Sequence, residues 1–81
     1  MDYSVRGMLT MLQDLQRLHF GKVTMYVDVI ISDDDKPLVS CSVFDNDGEP
    51  HTTAFYTFEP DDDRKRKYSE VFGLINDIID G

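Results

Sequence analysis

The hydrophobic period of this chain changes twice, and each change marks a change of backbone. Val5, Met8, Leu9, Met11, Leu12, Leu15 and Leu18 recur at intervals of three and four, while Arg6, Thr10, Gln13, Asp14 and Arg17 fill the opposite side. That spacing gathers apolar side chains along one side of a helix and predicts an amphipathic helix over residues 4–19. Asp2 or Ser4 is placed to cap its start, and Gly21 stands where a C-terminal glycine ends a helix.

From residue 22 the period becomes two. Val23, Met25, Val27, Val29 and Ile31 alternate with Lys22, Thr24, Tyr26, Asp28, Ile30 and Ser32. Strict alternation rich in β-branched residues predicts a strand over 22–32 with one covered face. Asp33-Asp34-Asp35-Lys36-Pro37 reads as a turn. A second strand follows over 38–44, with Val39, Cys41 and Val43 on one face and Leu38, Ser40, Ser42 and Phe44 on the other. Asp45-Asn46-Asp47-Gly48 is a hairpin signal because Gly48 can adopt positive φ. A third strand is expected over 51–58, after Pro50, whose missing N–H is best tolerated at a strand start.

Over 61–80 the helical period returns in Tyr68, Val71, Phe72, Ile75, Ile78 and Ile79. Asp61, Asp62 and Asp63 suit the positive end of that helix. The expected fold is α+β: a two-layer α-β-β-β-α domain, with a three-stranded antiparallel meander and both helices packed on one face. That face should carry Val23, Met25, Val27, Val29, Ile31, Val39, Cys41 and Val43. The opposite, outer face should carry Tyr26, Ile30, Leu38 and Phe44. Phe55 joins them in one register of the third strand, and Tyr56 and Phe58 in the other.

With 81 residues the chain forms one domain, 1–81, large enough for a single core. A lone Cys41 excludes an internal disulfide and reads as a small buried hydrophobe. The N-terminal segment lacks the apolar run of a signal peptide, and no stretch is long and apolar enough for a membrane span; a cytoplasmic location is the resulting expectation.

The net charge is −8, from sixteen acidic and eight basic residues. Most of the acid falls in connections: Asp33, Asp34, Asp35, Asp45, Asp47, Glu49, Glu59, Asp61, Asp62 and Asp63. The meander brings residues 33–35 and 61–63 to one end of the sheet, so these six aspartates form one expected acidic cluster. Asp45, Asp47 and Glu49 fall at the other end, near Asp77 and Asp80. Charge of this sign opposes direct binding of nucleic acid and of anionic membranes.

Asp45-Asn46-Asp47-Gly48 resembles part of a calcium loop. The full pattern requires an acid two residues earlier and a glutamate six residues after the glycine, where this chain has Val43 and Ala54. Aspartates in open turns lack the pocket that separates a general acid from a general base. His19 and His51 have no third ligand in sequence. No catalytic residue, metal site or cofactor is expected, and the chain reads as no enzyme.

Arg64-Lys65-Arg66-Lys67 is the only basic run. Its i, i+4 pairs, Asp62 with Arg66 and Asp63 with Lys67, suit a helix-stabilising role. The α-β-β-β-α order is similar to that of the double-stranded RNA-binding domain, which also carries basic residues where its second helix begins. The family's glycine-proline-x-histidine loop is replaced here by Asp33-Asp34-Asp35-Lys36-Pro37, and the net charge has the opposite sign, so the likeness is one of topology alone.

Two functions are compatible with this pattern. The first is a small acidic protein-interaction domain that docks, or forms a homodimer, through Tyr26, Ile30, Leu38, Phe44 and Phe55 on the outer sheet face or through the edge of a strand. The alternative is an acidic mimic of nucleic acid that inhibits a nucleic-acid-binding enzyme, acting through Asp33, Asp34, Asp35, Asp61, Asp62 and Asp63.

Overall fold

The structure is a computed structural model that describes residues 2–31 and 33–81. The chain runs α1 (Val5–Leu18), β1 (Thr24–Ile31), β2 (Pro37–Phe44), β3 (Pro50–Tyr56) and α2 (Asp61–Asp80). The strands form one antiparallel sheet in the order β1-β2-β3, and both helices contact it from the same side, α1 over β1 and β2 and α2 over β3. The α-β-β-β-α order, the meander and the one-sided helical layer match the sequence expectation. Ser32, expected to close the first strand, lies outside the described residues.

Local chemistry explains the element boundaries. Ser4 caps α1 by accepting a hydrogen bond from the Gly7 amide at 3.1 Å, and Asp2 accepts one from the Ser4 amide at 2.9 Å. Gly7 is required by this arrangement, because a Cβ there would sit 2.1 Å from the Asp2 carbonyl oxygen. Gly21 (φ +85°) follows α1, and Gly48 (φ +81°) turns the β2–β3 hairpin. In that hairpin, Asp45 accepts hydrogen bonds from the amides of Asp47 and Glu49 and pairs with the His51 ring at 2.8 Å. Its carboxylate therefore holds its own loop, and these bonds keep its pKa below the usual aspartate value, His51 contributing most. Asn46 donates to the Ile78 carbonyl at 3.2 Å, which ties the hairpin to the end of α2.

The core lies between the helices and one sheet face. It contains Met8, Leu12 and Leu15 from α1, Met25 from β1, Val39, Cys41 and Val43 from β2, Phe55 from β3, and Val71, Ile75 and Ile78 from α2. Register decides the place of Phe55. It pairs with Val39, and its neighbour Tyr56 pairs with Leu38. Phe55 is therefore fully buried beneath the helices, which corrects its expected place on the outer face. Successive strand residues alternate faces, so Tyr56 takes the outer position.

A second correction concerns β1. Val29 and Ile31 occupy helix-side positions, yet they are 48% and 68% exposed. α1 reaches both ends of β1. Gln16 near its end donates to the Met25 carbonyl at 2.6 Å, while Val5 and Leu9 near its start line a groove of about 220 Å³ with Val29, Pro37 and Val39. The far end of β1 is left uncovered.

Cys41 is buried at the centre of β2, and burial pushes its thiol pKa up to about 11. A neutral, enclosed thiol is a poor nucleophile. A disulfide-exchange dye should label Cys41 rapidly in denaturant and only through unfolding in native buffer; fast native labelling would contradict the packing.

Candidate interaction surface

Register arranges the outer face in four rows. Thr24, Phe44 and Pro50 form one end, followed by Tyr26, Ser42 and Thr52, then Asp28, Ser40 and Ala54, with Ile30, Leu38 and Tyr56 at the far end. The middle is polar, and the Ser42 and Thr52 hydroxyls share a hydrogen bond at 2.8 Å. Apolar character concentrates at the ends. Tyr26 and Phe44 meet edge to face, with ring centroids 5.6 Å apart. At the other end Tyr56 stacks on Phe58 at 4.9 Å, and both line a groove of about 230 Å³ with Leu38, Pro37 and the aliphatic reach of Lys36.

Of the residues expected here, Tyr26 is 57% and Ile30 48% exposed, while Leu38 and Phe44 are half-buried. Phe58, which lies in the turn after β3, is 73% exposed.

A further apolar surface was not anticipated. Met11, Leu15 and Leu18 of α1 face Tyr68 and Phe72 of α2 across an open groove of about 240 Å³. Leu18 and Phe72 are exposed. The signal for it lay in the width of the α2 stripe: Tyr68, Phe72 and Ile79 add an arc beyond the Val71, Ile75 and Ile78 line that the sheet buries.

The acidic residues divide by role. Asp33, Asp34, Asp35, Asp61 and Asp62 are exposed, and Asp34 lines the groove beside Phe58. Asp61 binds Arg64. Among the described residues, no group of three or more histidine, cysteine or acidic side chains is placed to hold a metal ion, and no helix is long and apolar enough to cross a membrane.

The basic run is the largest departure from expectation. Arg66 pairs with Glu70 at 3.1 Å and Lys67 with Glu59 at 2.6 Å, in place of the expected partners Asp62 and Asp63. Arg64 is buried. It donates to the carbonyl oxygens of Tyr3 (2.5 Å), Tyr56 (2.6 Å) and Glu59 (2.7 Å), and to the Asp61 carboxylate. Lys67 also donates to the Ala54 carbonyl at 2.8 Å and lies 5.0 Å from the Tyr56 ring centre.

These contacts engage the end of one sheet edge. Glu59 accepts from the Tyr56 amide at 2.7 Å, Arg64 takes the Tyr56 carbonyl and Lys67 takes that of Ala54. The Tyr56 amide and the carbonyls of Ala54 and Tyr56, at the C-terminal end of β3, are therefore engaged by side chains from the β3–α2 connection and α2. Burial works to raise the Glu59 pKa, but hydrogen bonds from Lys67 and the Tyr56 amide, with the charges of Lys67 and Arg64, hold it below its ordinary 4.5. A carboxylate held low stabilises the fold above its unfolded pKa, and that contribution disappears as pH falls through the folded value. Glu59→Gln should accordingly destabilise the protein near pH 7 and match it more closely as pH drops below about 4. Urea titrations across that range measure it, and a pH-independent difference would refute the assignment.

No protein-family model, curated protein or solved structure matches this chain.

Proposed function

We propose that the chain is a non-enzymatic protein-interaction domain that docks through the outer face of its sheet. The observation carrying this reading is the exposure of large apolar side chains at both ends of one sheet face: Tyr26 at one, Ile30 and Phe58 at the other. Side chains of this kind lose unfavourable hydration when a partner covers them, and aromatic residues contribute strongly to association energy. The polar strip between them, Ser40, Ser42 and Thr52, offers hydroxyls to a partner.

An acidic-mimic reading draws on a different observation, the exposure of Asp33, Asp34 and Asp35 at the sheet end where α2 begins. One experiment separates the two. The chain is immobilised and challenged with extract of its native host, beside a Tyr26→Ser/Phe58→Ser variant and an Asp33→Asn/Asp35→Asn variant. Docking through the face predicts a partner retained by the charge variant and lost with the apolar one. The reverse pattern supports the acidic mimic. A chain that is monomeric and retains nothing in any form refutes the docking reading.

A further inference from the structure

The two edges of the sheet differ. At β3 the outward groups of Ala54 and Tyr56 are engaged by Lys67, Glu59 and Arg64. Antiparallel ladders alternate between residues that bond one neighbour and residues that bond the other. If Ala54 and Tyr56 face outward, their partners Ser40 and Leu38 must bond β1, through Asp28 and Ile30. The odd-numbered residues of β1 then face the open edge. On that parity the Met25 carbonyl is an outward group, and it accepts from the Gln16 side chain. Among the described residues, the outward groups of Val27, Val29 and Ile31 have no hydrogen-bond partner. Natural edge strands are usually blunted by charge, proline, a bulge or a covering element. This stretch carries none of them on its exposed helix-side positions, Val29 and Ile31.

We propose that β1 is the seam of a two-fold homodimer, in which it pairs antiparallel with β1 of a second copy to join both sheets. This goes beyond docking through the outer face: it adds a second contact surface, the β1 edge, and assigns a second copy to it. Charge selects the second copy and its register. β1 is preceded by Lys22, which forms no ion pair among the described residues, and followed by Asp33, Asp34 and Asp35. Antiparallel pairing sets the basic start of each strand beside the acidic end of the other, twice.

A two-fold centred on Asp28 would oppose two aspartates directly, which destabilises a sheet. Centring on Val27 avoids this. Val29 then lies opposite Met25 of the second copy, Ile31 opposite Val23, and Lys22 beside the acidic turn. Val29 and Ile31, left uncovered by the chain's own helices, become covered. The Met25 carbonyl can keep Gln16, since a carbonyl oxygen accepts two hydrogen bonds.

Light scattering coupled to size exclusion tests the seam. The expected mass is twice 9.3 kDa, 18.6 kDa. Val29→Pro removes an outward N–H that the ladder does not use, and Val29→Lys places charge on the seam at an exposed position; both should yield folded monomers by circular dichroism. Lys22→Glu and Asp33→Lys should each weaken self-association by roughly tenfold or more, since each sets like charges together. Mixed in equal amounts, these two variants should form a heterodimer, because both ends of that pair carry opposite charges. Phe58→Ser lies away from β1 and should leave the dimer intact.

A monomer at every concentration overturns the seam, and so does a dimer insensitive to the Val29 variants. A dimer lost with Phe58→Ser but kept with Val29→Lys overturns the seam while upholding docking through the outer face. Loss of host-partner capture with an intact, Val29-dependent dimer does the opposite.

Discussion

Replacing Arg64 with leucine is expected to cost the fold at least about 3 kcal/mol. Hydrogen bonds to a charged group contribute about 1.5–3 kcal/mol each, and a buried acceptor left without a donor adds its desolvation cost. Arg64 serves three backbone carbonyls and one carboxylate at once. Those carbonyls belong to the N-terminal lead, the end of β3 and the connection to α2, so one guanidinium ties three segments together. For a domain of this size, 1 kcal/mol corresponds to roughly 4–8 °C in Tm, which predicts a fall of about 12 °C or more. Arg64→Lys should recover only a minority of that loss, because an ammonium cannot reproduce the planar fork that reaches acceptors on different sides. Thermal and urea unfolding measure both variants. A leucine variant within about 1 kcal/mol of the parent would show that these contacts contribute little.

Phe55→Ala is the second expected large effect, at about 3–5 kcal/mol for removal of a buried aromatic ring. Domains of this length have total stabilities of about 4–12 kcal/mol, so the variant should be largely unfolded or marginal at 37 °C. Phe58→Ala, three residues on, should change stability by less than about 0.5 kcal/mol because that ring is mostly in solvent. The pair is a direct test of the β3 register. If the sheet slipped by one residue, every side chain of β3 would exchange faces, and the large effect would pass from Phe55 to its outer-face neighbours. Chemical denaturation of the two variants beside the parent distinguishes these outcomes.

Register was also the point at which the sequence was least informative about the candidate surface. β1 and β2 carry a clear alternation, so the outward placement of Tyr26 and Ile30 could be read from periodicity. β3 has apolar residues of both parities, Phe55 on one side and Ala54 and Tyr56 on the other. Its parity depends on how many residues the Asp45–Glu49 hairpin uses, and that is settled by the closure of the Asp45 backbone on Gly48 and Glu49. Phe58, grouped with the strand by its apolar character, falls instead in the turn before α2.

The basic run shows another limit. Spacing along a helix identifies which charges can pair within it, and Asp62–Arg66 and Asp63–Lys67 satisfied that geometry. The observed partners include Glu59, which precedes the helix, and carbonyls on β3 and near the N-terminus. A one-dimensional pattern holds no information about which backbone groups another strand leaves unsatisfied beside a helix.

Periodicity alone determined five elements, their order, the meander and the inner identity of Met25, Val39, Cys41, Val43, Val71 and Ile75, because burial of one side is written into each element at its own repeat. Composition determined the acidity and its concentration in connections. Only the tertiary structure decided the side of Phe55, the burial of Arg64, the side-chain contacts at the end of β3 and, among the described residues, the openness of β1 at Val27–Ile31. Each of these depends on where one element lies against another. The α1 helix, 14 residues long and thus about 21 Å, lies over β1 and β2 in a position that its own sequence does not specify, and that placement leaves Val29 and Ile31 exposed.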